Sequence, residues 1–123
     1  MRRLKYIGVL IMLLAGSAAN GNSVHMFGSP LCGDWVVSRQ QLKRTGKHSV
    51  TQIRVESWFF GFISGMVATD YRVTKHDILS GIDGDSTLLW VDNYCTQHPL
   101  NSVADASYKL FDALTNKAKS ENR

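Results

Sequence analysis

Four segments of the chain place apolar residues at the spacing of an α-helix, and polar stretches separate them. The first helix is predicted to open at Ser29, with Pro30 as its first helical residue, and to end near Lys43. The second, from about Thr51 to Thr69, is the most apolar. Because apolar side chains surround it almost completely, we expect a buried central helix.

The third helix follows a long polar loop from Asp70 to Asp85 and runs from Ser86 to about Gln97. Asp83 or Asp85 would cap its start, and Pro99 prevents its continuation. The loop contains three apolar residues that we expect to point inward: Ile78, Leu79 and Ile82.

The fourth helix is predicted to begin after a cap at Asn101 or Ser102 and to fray from Asn116 onward. Together the pattern predicts an all-α domain of about four helices over residues 29–118, with a frayed C-terminus at 119–123. A segment of this length is long enough to form one domain with one apolar core.

The second helix carries small residues at spacings of three and four: Ser57, Gly61, Gly65 and Ala68. Two glycines in a soluble helix lower its stability by up to about 2 kcal/mol relative to alanine. We expect close approach of another helix, or of the chain that follows, to compensate for this. A membrane dimerisation motif is the rival explanation.

Residues 1–19 have the three parts of a secretory signal: a basic start, an apolar run from Ile7 to Ala15, and small residues ahead of a predicted cleavage after Ala19. The apolar run is too short for a membrane anchor, which needs about 20 residues. Residues 20–28 are predicted to form a flexible leader. We therefore expect a periplasmic or secreted protein with no stable membrane span in its mature form.

Removal of the signal changes the charge of the chain. The full sequence has 14 Lys and Arg against 10 Asp and Glu, but cleavage would leave 11 against 10. The high pI is then largely a feature of the signal, and we expect no nucleic-acid partner. Basic residues concentrate between Arg39 and Arg54 and acidic ones between Asp77 and Asp112. These segments either attract each other within the fold or steer a charged protein partner.

Cys32 and Cys95 are the only cysteines, so an exported chain has one possible internal disulfide. Closing so long a loop would stabilise the fold by about 4 kcal/mol.

The polar residues do not form a recognisable reaction centre. No pair of histidines has a helical metal-ligand spacing, and the acidic run from Asp83 departs from a calcium loop, with Leu88 in place of the required glycine. A disulfide would remove Cys95 as a nucleophile beside His98. We therefore predict a non-enzyme without metal or cofactor.

Four residues are candidates for binding a partner. Trp90 lies off the apolar side of the third helix and is a possible exposed anchor, although filling the core is the simpler interpretation. Arg39, Lys43 and Arg44 form the basic cluster of the first helix.

Several of these residues together resemble known families. GFISG on the central helix, then YCTQHP and an Ala- and Leu-rich last helix, resemble the Rap/Tai-type immunity proteins of type VI secretion. They also resemble the Hde-type acid-stress chaperones, small helical periplasmic proteins with one disulfide. The first resemblance implies a non-catalytic domain that blocks a toxin enzyme, and the second implies a chaperone for unfolded clients. The oligomeric state stays open in both.

Overall fold

The computed structural model describes residues 28–121, so the predicted signal and all of the leader except Gly28 lie outside the described residues. Four helices make up most of this part: α1 (Cys32–Thr45), α2 (Val50–Thr74), α3 (Gly84–Gln97) and α4 (Val103–Glu121). The all-α class and the number of helices are confirmed.

The helices form a bundle in which α1 and α4 each pack against both α2 and α3. As a result, α2 and α3 lie across the bundle from each other. One apolar core fills the space between the helices, and Trp35 and Phe59 meet edge to face in it with ring centroids 5.6 Å apart. Every helix contributes to this core, which includes Cys32, Val55, Ile63, Val91, Cys95, Val103 and Leu110.

The predicted disulfide is present, and it joins the first residue of α1 to the last turn of α3. Both Cys32 and Cys95 are completely buried. The bridge closes a sequence separation of 63 residues, and the stabilisation expected from closing that loop stays a prediction.

The start of α1 differs from the prediction. The helix begins at Cys32, and Ser29 does not cap it: the Ser29 hydroxyl accepts a hydrogen bond from the backbone N–H of Ala104, 3.2 Å away at the start of α4. The Pro30 carbonyl accepts from the N–H of Val103 at 2.8 Å. These long-range bonds hold the segment against α4, so the local Ser-Pro signal is overridden.

Two alternative caps were predicted for each of α3 and α4, and the structure confirms one of each pair, Asp83 and Ser102. Asp83 accepts from the N–H of Ser86 at 2.7 Å. The Ser102 hydroxyl accepts from the N–H of Asp105 at 3.1 Å, and the Asp105 carboxylate accepts from the N–H of Ser102 at 2.8 Å. The second pair is a reciprocal capping box, which satisfies two N–H groups at the helix start.

Two helices extend further than predicted. The polar residues after Thr69 remain helical up to Thr74, and α4 continues through the predicted frayed region to Glu121. The two extensions lie close together, since Thr74 and Ala118 line the same open depression. Since Phe62 also contacts Tyr108 nearer the helix starts, α2 and α4 run side by side in the same direction.

The connection from α2 to α3 returns along α2. Ile78 is buried, and Leu79 and Ile82 are half-buried against the core, as predicted. None of the helices between residues 28 and 121 combines the length and the apolar character that crossing a membrane requires.

Candidate protein-binding surface

A largely buried carboxylate, Asp92 on α3, links α3 to α1 and, through Arg39, to α2. It accepts hydrogen bonds from Trp35 Nε1 at 2.8 Å and Arg39 Nε at 2.9 Å, both on α1, and lies 3.2 Å from Lys43 Nζ. Arg39 also pairs with Glu56 on α2, at 2.7 Å. The basic and acidic segments of the sequence therefore do meet within the fold here.

The contacts of Asp92 determine its ionisation. Burial raises the pKa of Asp92, but the hydrogen bonds from Arg39, Trp35 and Lys43 and the charge of Arg39 together outweigh it, so the pKa lies below its usual value. The hydrogen bond to Asp92 is the main reason that the pKa of Arg39 is raised. Both groups are thus held in their charged forms.

The basic residues predicted to bind a partner have different environments. Arg39 is largely buried and Lys43 is exposed, but both are paired with Asp92. Arg44 is exposed and makes no ion pair with another residue between 28 and 121. Partner binding by these three residues stays a prediction. Of the three, only Arg44 has no ion pair within residues 28–121.

Trp90 is half-buried and belongs to a row of rings along α3. It stacks on Tyr94 with ring centroids 5.7 Å apart, and Tyr94 in turn contacts the ring of His98 at 4.6 Å. The Tyr94 hydroxyl accepts a hydrogen bond from Asn101 Nδ2 at 2.8 Å, which fixes the row to the start of α4. Trp90 thus packs against Tyr94 and is also partly exposed at the surface. Its role as an anchor for a partner stays a prediction.

The outer face of α2 corrects two expectations from the sequence. The helix is not buried all round, and its glycines are not approached by the rest of the chain: a Cβ added at Gly61 or Gly65 would meet nothing within 4 Å. Its buried residues, among them Phe59 and Ile63, lie on the opposite side, where α1 and α4 pack. The small residues therefore face outward.

A first apolar groove, of about 740 Å³, lies beside these glycines, where α2 meets α4. Its walls are aromatic and aliphatic. One wall residue, Phe62, is held by two rings outside the lining: it packs edge to face on Tyr108 at 5.6 Å and stacks on Trp58 at 4.9 Å. The only charged residue in its lining is Asp70, and the other lining residues are Gly61, Phe62, Gly65, Met66, Thr69, Val73 and Phe111.

A second groove, of about 650 Å³, lies on the other side of the same helix face, where the returning loop packs against α2. Tyr71 and Leu79 are among its apolar lining residues, and its charged lining residues are Arg72 and Asp77. The outer face of α2 between the two grooves is therefore a low ridge with an apolar depression on each side.

The sequence pattern that marks this surface is the spacing of small residues in an apolar helix. The expectation that another part of the chain packs on these residues was wrong, because the spacing alone does not show what packs there. Among residues 28–121, no three histidine, cysteine, aspartate or glutamate side chains are grouped as metal ligands. The predicted lack of enzymatic activity is not tested by this geometry.

Comparisons of the chain with protein-family models, with curated proteins and with solved structures find no match. The resemblance to immunity proteins and acid-stress chaperones therefore stays a prediction.

Proposed function

We propose that the chain is an exported, non-catalytic protein-binding domain that acts as an immunity-type inhibitor of a toxin enzyme in the periplasm or outside the cell. The observation that carries this proposal is the open outer face of α2, where Gly61 and Gly65 lie between two apolar grooves. An inhibitor of this type needs a rigid surface that covers the active site of its target, and no chemistry of its own.

The glycines support a binding role through their energetics. Each glycine in a helix lowers stability by about 1 kcal/mol relative to alanine. Within the described chain nothing approaches Gly61 or Gly65 closely enough to compensate. Close approach of a partner's backbone recovers this loss through contacts that a Cβ would block.

The frame behind this surface is rigid, which favours binding. The Cys32–Cys95 disulfide joins α1 to α3, and Arg39 links Glu56 on α2 to Asp92 on α3. A preorganised surface loses less conformational entropy on association, so more of the contact energy appears as affinity.

The test is capture of a secreted enzyme and inhibition of that enzyme. Wild type, Gly65→Leu and Asn93→Leu are immobilised and exposed to the secreted and periplasmic fractions of the source cells. Asn93 is exposed on α3, across the bundle, and so provides a matched control for an added surface leucine. Leucine at Gly65 is expected to keep the fold and to block the ridge.

We expect wild type and Asn93→Leu to retain the same hydrolase and to suppress its activity at stoichiometric amounts, and Gly65→Leu to do neither. If no captured enzyme is inhibited, the inhibitor proposal is wrong. If Gly65→Leu captures the enzyme as well as wild type does, the binding surface does not include the outer face of α2.

A second candidate, an acid-activated chaperone of Hde type, is favoured by the Asp92 cluster. Protonation of Asp92 at low pH removes the partner of Arg39 and Lys43, and excess positive charge then favours opening of the bundle. Opening would expose the Trp58–Met66 segment of α2 to unfolded clients. If client aggregation at about pH 2–3 is the same with and without the protein, this candidate is excluded.

A further inference from the structure

The outer face of α2 carries a positive charge at each end. Arg54 and Arg72 are eighteen residues apart, which is five turns of an α-helix, so both lie on the same line along its surface. This line is about 27 Å long. Between the two arginines it passes over Ser57, Gly61 and Gly65, none of which carries a charge.

Such a face is unusual for an exposed helix. The side of an amphipathic helix that points away from the core normally carries charged and polar residues throughout. Here Gly61, Gly65 and Ala68 occupy that side and are exposed. Along this line the charged residues, Arg54 and Arg72, lie only at the two ends of the stretch of small residues.

The two arginines make no ion pair within the described chain. Both are exposed. Of the nearby acids, Glu56 pairs with Arg39 and Asp70 lines the groove toward α4. Asp77 shares the lining of the second groove with Arg72 but makes no ion pair with it, and it accepts a hydrogen bond from the N–H of Leu79.

We propose that this face is the docking site for an α-helix of about five turns from the partner protein. The partner helix lays small and apolar side chains over Gly61 and Gly65, and it carries an acidic residue at each end, opposite Arg54 and Arg72. This inference rests on the proposed function, because it names the part of the partner that binds the same surface.

The dimensions of the surface favour a helix. Glycines at a spacing of four let two helix axes approach closely, and the grooves on both sides receive side chains that project at helical spacing. A groove between two parallel helices, with apolar walls such as Phe62 and Phe111, is also the usual receptor for the apolar side of a helix.

The charges argue against a second copy of this chain. A two-fold axis midway between Gly61 and Gly65 places Arg54 opposite Arg72 of the other copy, at both ends of the contact. A parallel arrangement places each arginine opposite its own equivalent. Both arrangements juxtapose like charges, which opposes association.

The experiment uses designed helical peptides as probes and the full mature chain as receptor. Each peptide is alanine-rich and has the same apolar seam over five turns. One version carries glutamate at the two ends of the seam, and the other carries lysine. Binding is followed residue by residue from amide chemical shifts in ¹⁵N-labelled protein.

We expect the glutamate-ended peptide to shift amides along the outer face of α2 and to bind about tenfold more tightly than the lysine-ended peptide, since two surface ion pairs are exchanged for two repulsions. The double variant Arg54→Glu and Arg72→Glu should reverse this preference. Lys109→Glu has the same change of charge at an exposed site on α4, outside the lining of both grooves, and should leave the preference unchanged.

Equal binding of the two peptides, or shifts that avoid α2, would overturn the inference. Vesicles containing phosphatidylglycerol are added in a separate titration, and shifts along α2 with these vesicles but with neither peptide would also overturn it, because they would indicate a lipid surface. Self-association of the protein through α2 would likewise replace the partner helix by a second copy.

The partner captured in the inhibition experiment separates the two proposals. If Gly65→Leu loses that partner but the Arg54→Glu, Arg72→Glu variant retains it at full affinity, the inhibitor proposal stands and the acidic helix is wrong. If no secreted enzyme is inhibited but the peptides bind as expected, the surface is a helix receptor and the inhibitor role is wrong.

Discussion

Removing the charge of Asp92 tests whether the buried cluster holds the bundle together. In Asp92→Asn the side chain keeps its size, and its amide oxygen can still accept the hydrogen bond that Trp35 Nε1 now donates over 2.8 Å. What is lost is the negative charge beside Arg39, whose Nε and Nη2 atoms lie 2.9 and 3.1 Å from the two carboxylate oxygens. The variant thus isolates the ionic part of the cluster.

The size of the effect follows from burial. The side chains of Asp92 and Arg39 are 10 % and 16 % exposed, so solvent screens their interaction only weakly. Breaking a buried pair commonly costs about 3–5 kcal/mol, because one charge stays buried without its partner. Arg39 keeps Glu56 at 2.7 Å, and the exposed Lys43 contributes little. We therefore expect a loss of about 3 kcal/mol at pH 7.

The pH dependence identifies the cause. Because the pKa of Asp92 is lowered in the folded state, its stabilising contribution is complete above the unfolded-state pKa of about 3.9 and is lost as the pH falls through the folded-state pKa. The difference between wild type and Asp92→Asn should therefore be largest near neutral pH and shrink below pH 4.

Urea unfolding at pH 7 and at about pH 2.5, followed by circular dichroism, measures this difference. Asp112→Asn is the matched control, since Asp112 is exposed on α4 and should change stability by less than about 0.5 kcal/mol. A loss below about 1 kcal/mol at pH 7 would show that the cluster contributes little. A difference of the same size at both pH values would refute the assignment to the carboxylate charge.

Three further predictions concern stability. Gly65→Ala should raise the free energy of unfolding by about 1 kcal/mol, because the added Cβ has open space and alanine favours the helix; an unchanged or lower thermal midpoint would contradict this. Reduction of the Cys32–Cys95 bridge should lower stability by about 4 kcal/mol, read from urea midpoints with and without reductant, and equal midpoints would refute the contribution of the loop. Thr115→Val should be neutral or stabilising by about 1 kcal/mol in thermal melts, because the buried Thr115 hydroxyl has no hydrogen-bond partner within the described chain, and a clear loss would mean that the hydroxyl is satisfied.

Local patterns predicted most of the secondary structure. The helix caps at Asp83 and Ser102 depend on contacts between residues three apart, and such local contacts can be predicted from the sequence. The inward position of Ile78 was predictable for a similar reason, since an apolar residue in a polar loop gains free energy by reaching the core.

The start of α1 and the ends of α2 and α4 were not predictable in this way. Ser29 and Pro30 have the local signature of a helix start, but their hydrogen bonds go to α4, more than 70 residues away in the sequence. Thr74 and Glu121 end two helices that pack side by side. The start of α1 depends on a neighbour that is distant in sequence.

The candidate surface divides in the same manner. The sequence by itself determined the small-residue spacing around Gly61 and Gly65, the single possible disulfide, and the apolar character of α2. Only the tertiary structure decided that the glycines face outward, because the core chooses one side of a helix that is apolar nearly all round. In this protein α1 and α4 both pack on the side of Phe59 and Ile63, which leaves the glycine face open between its two grooves.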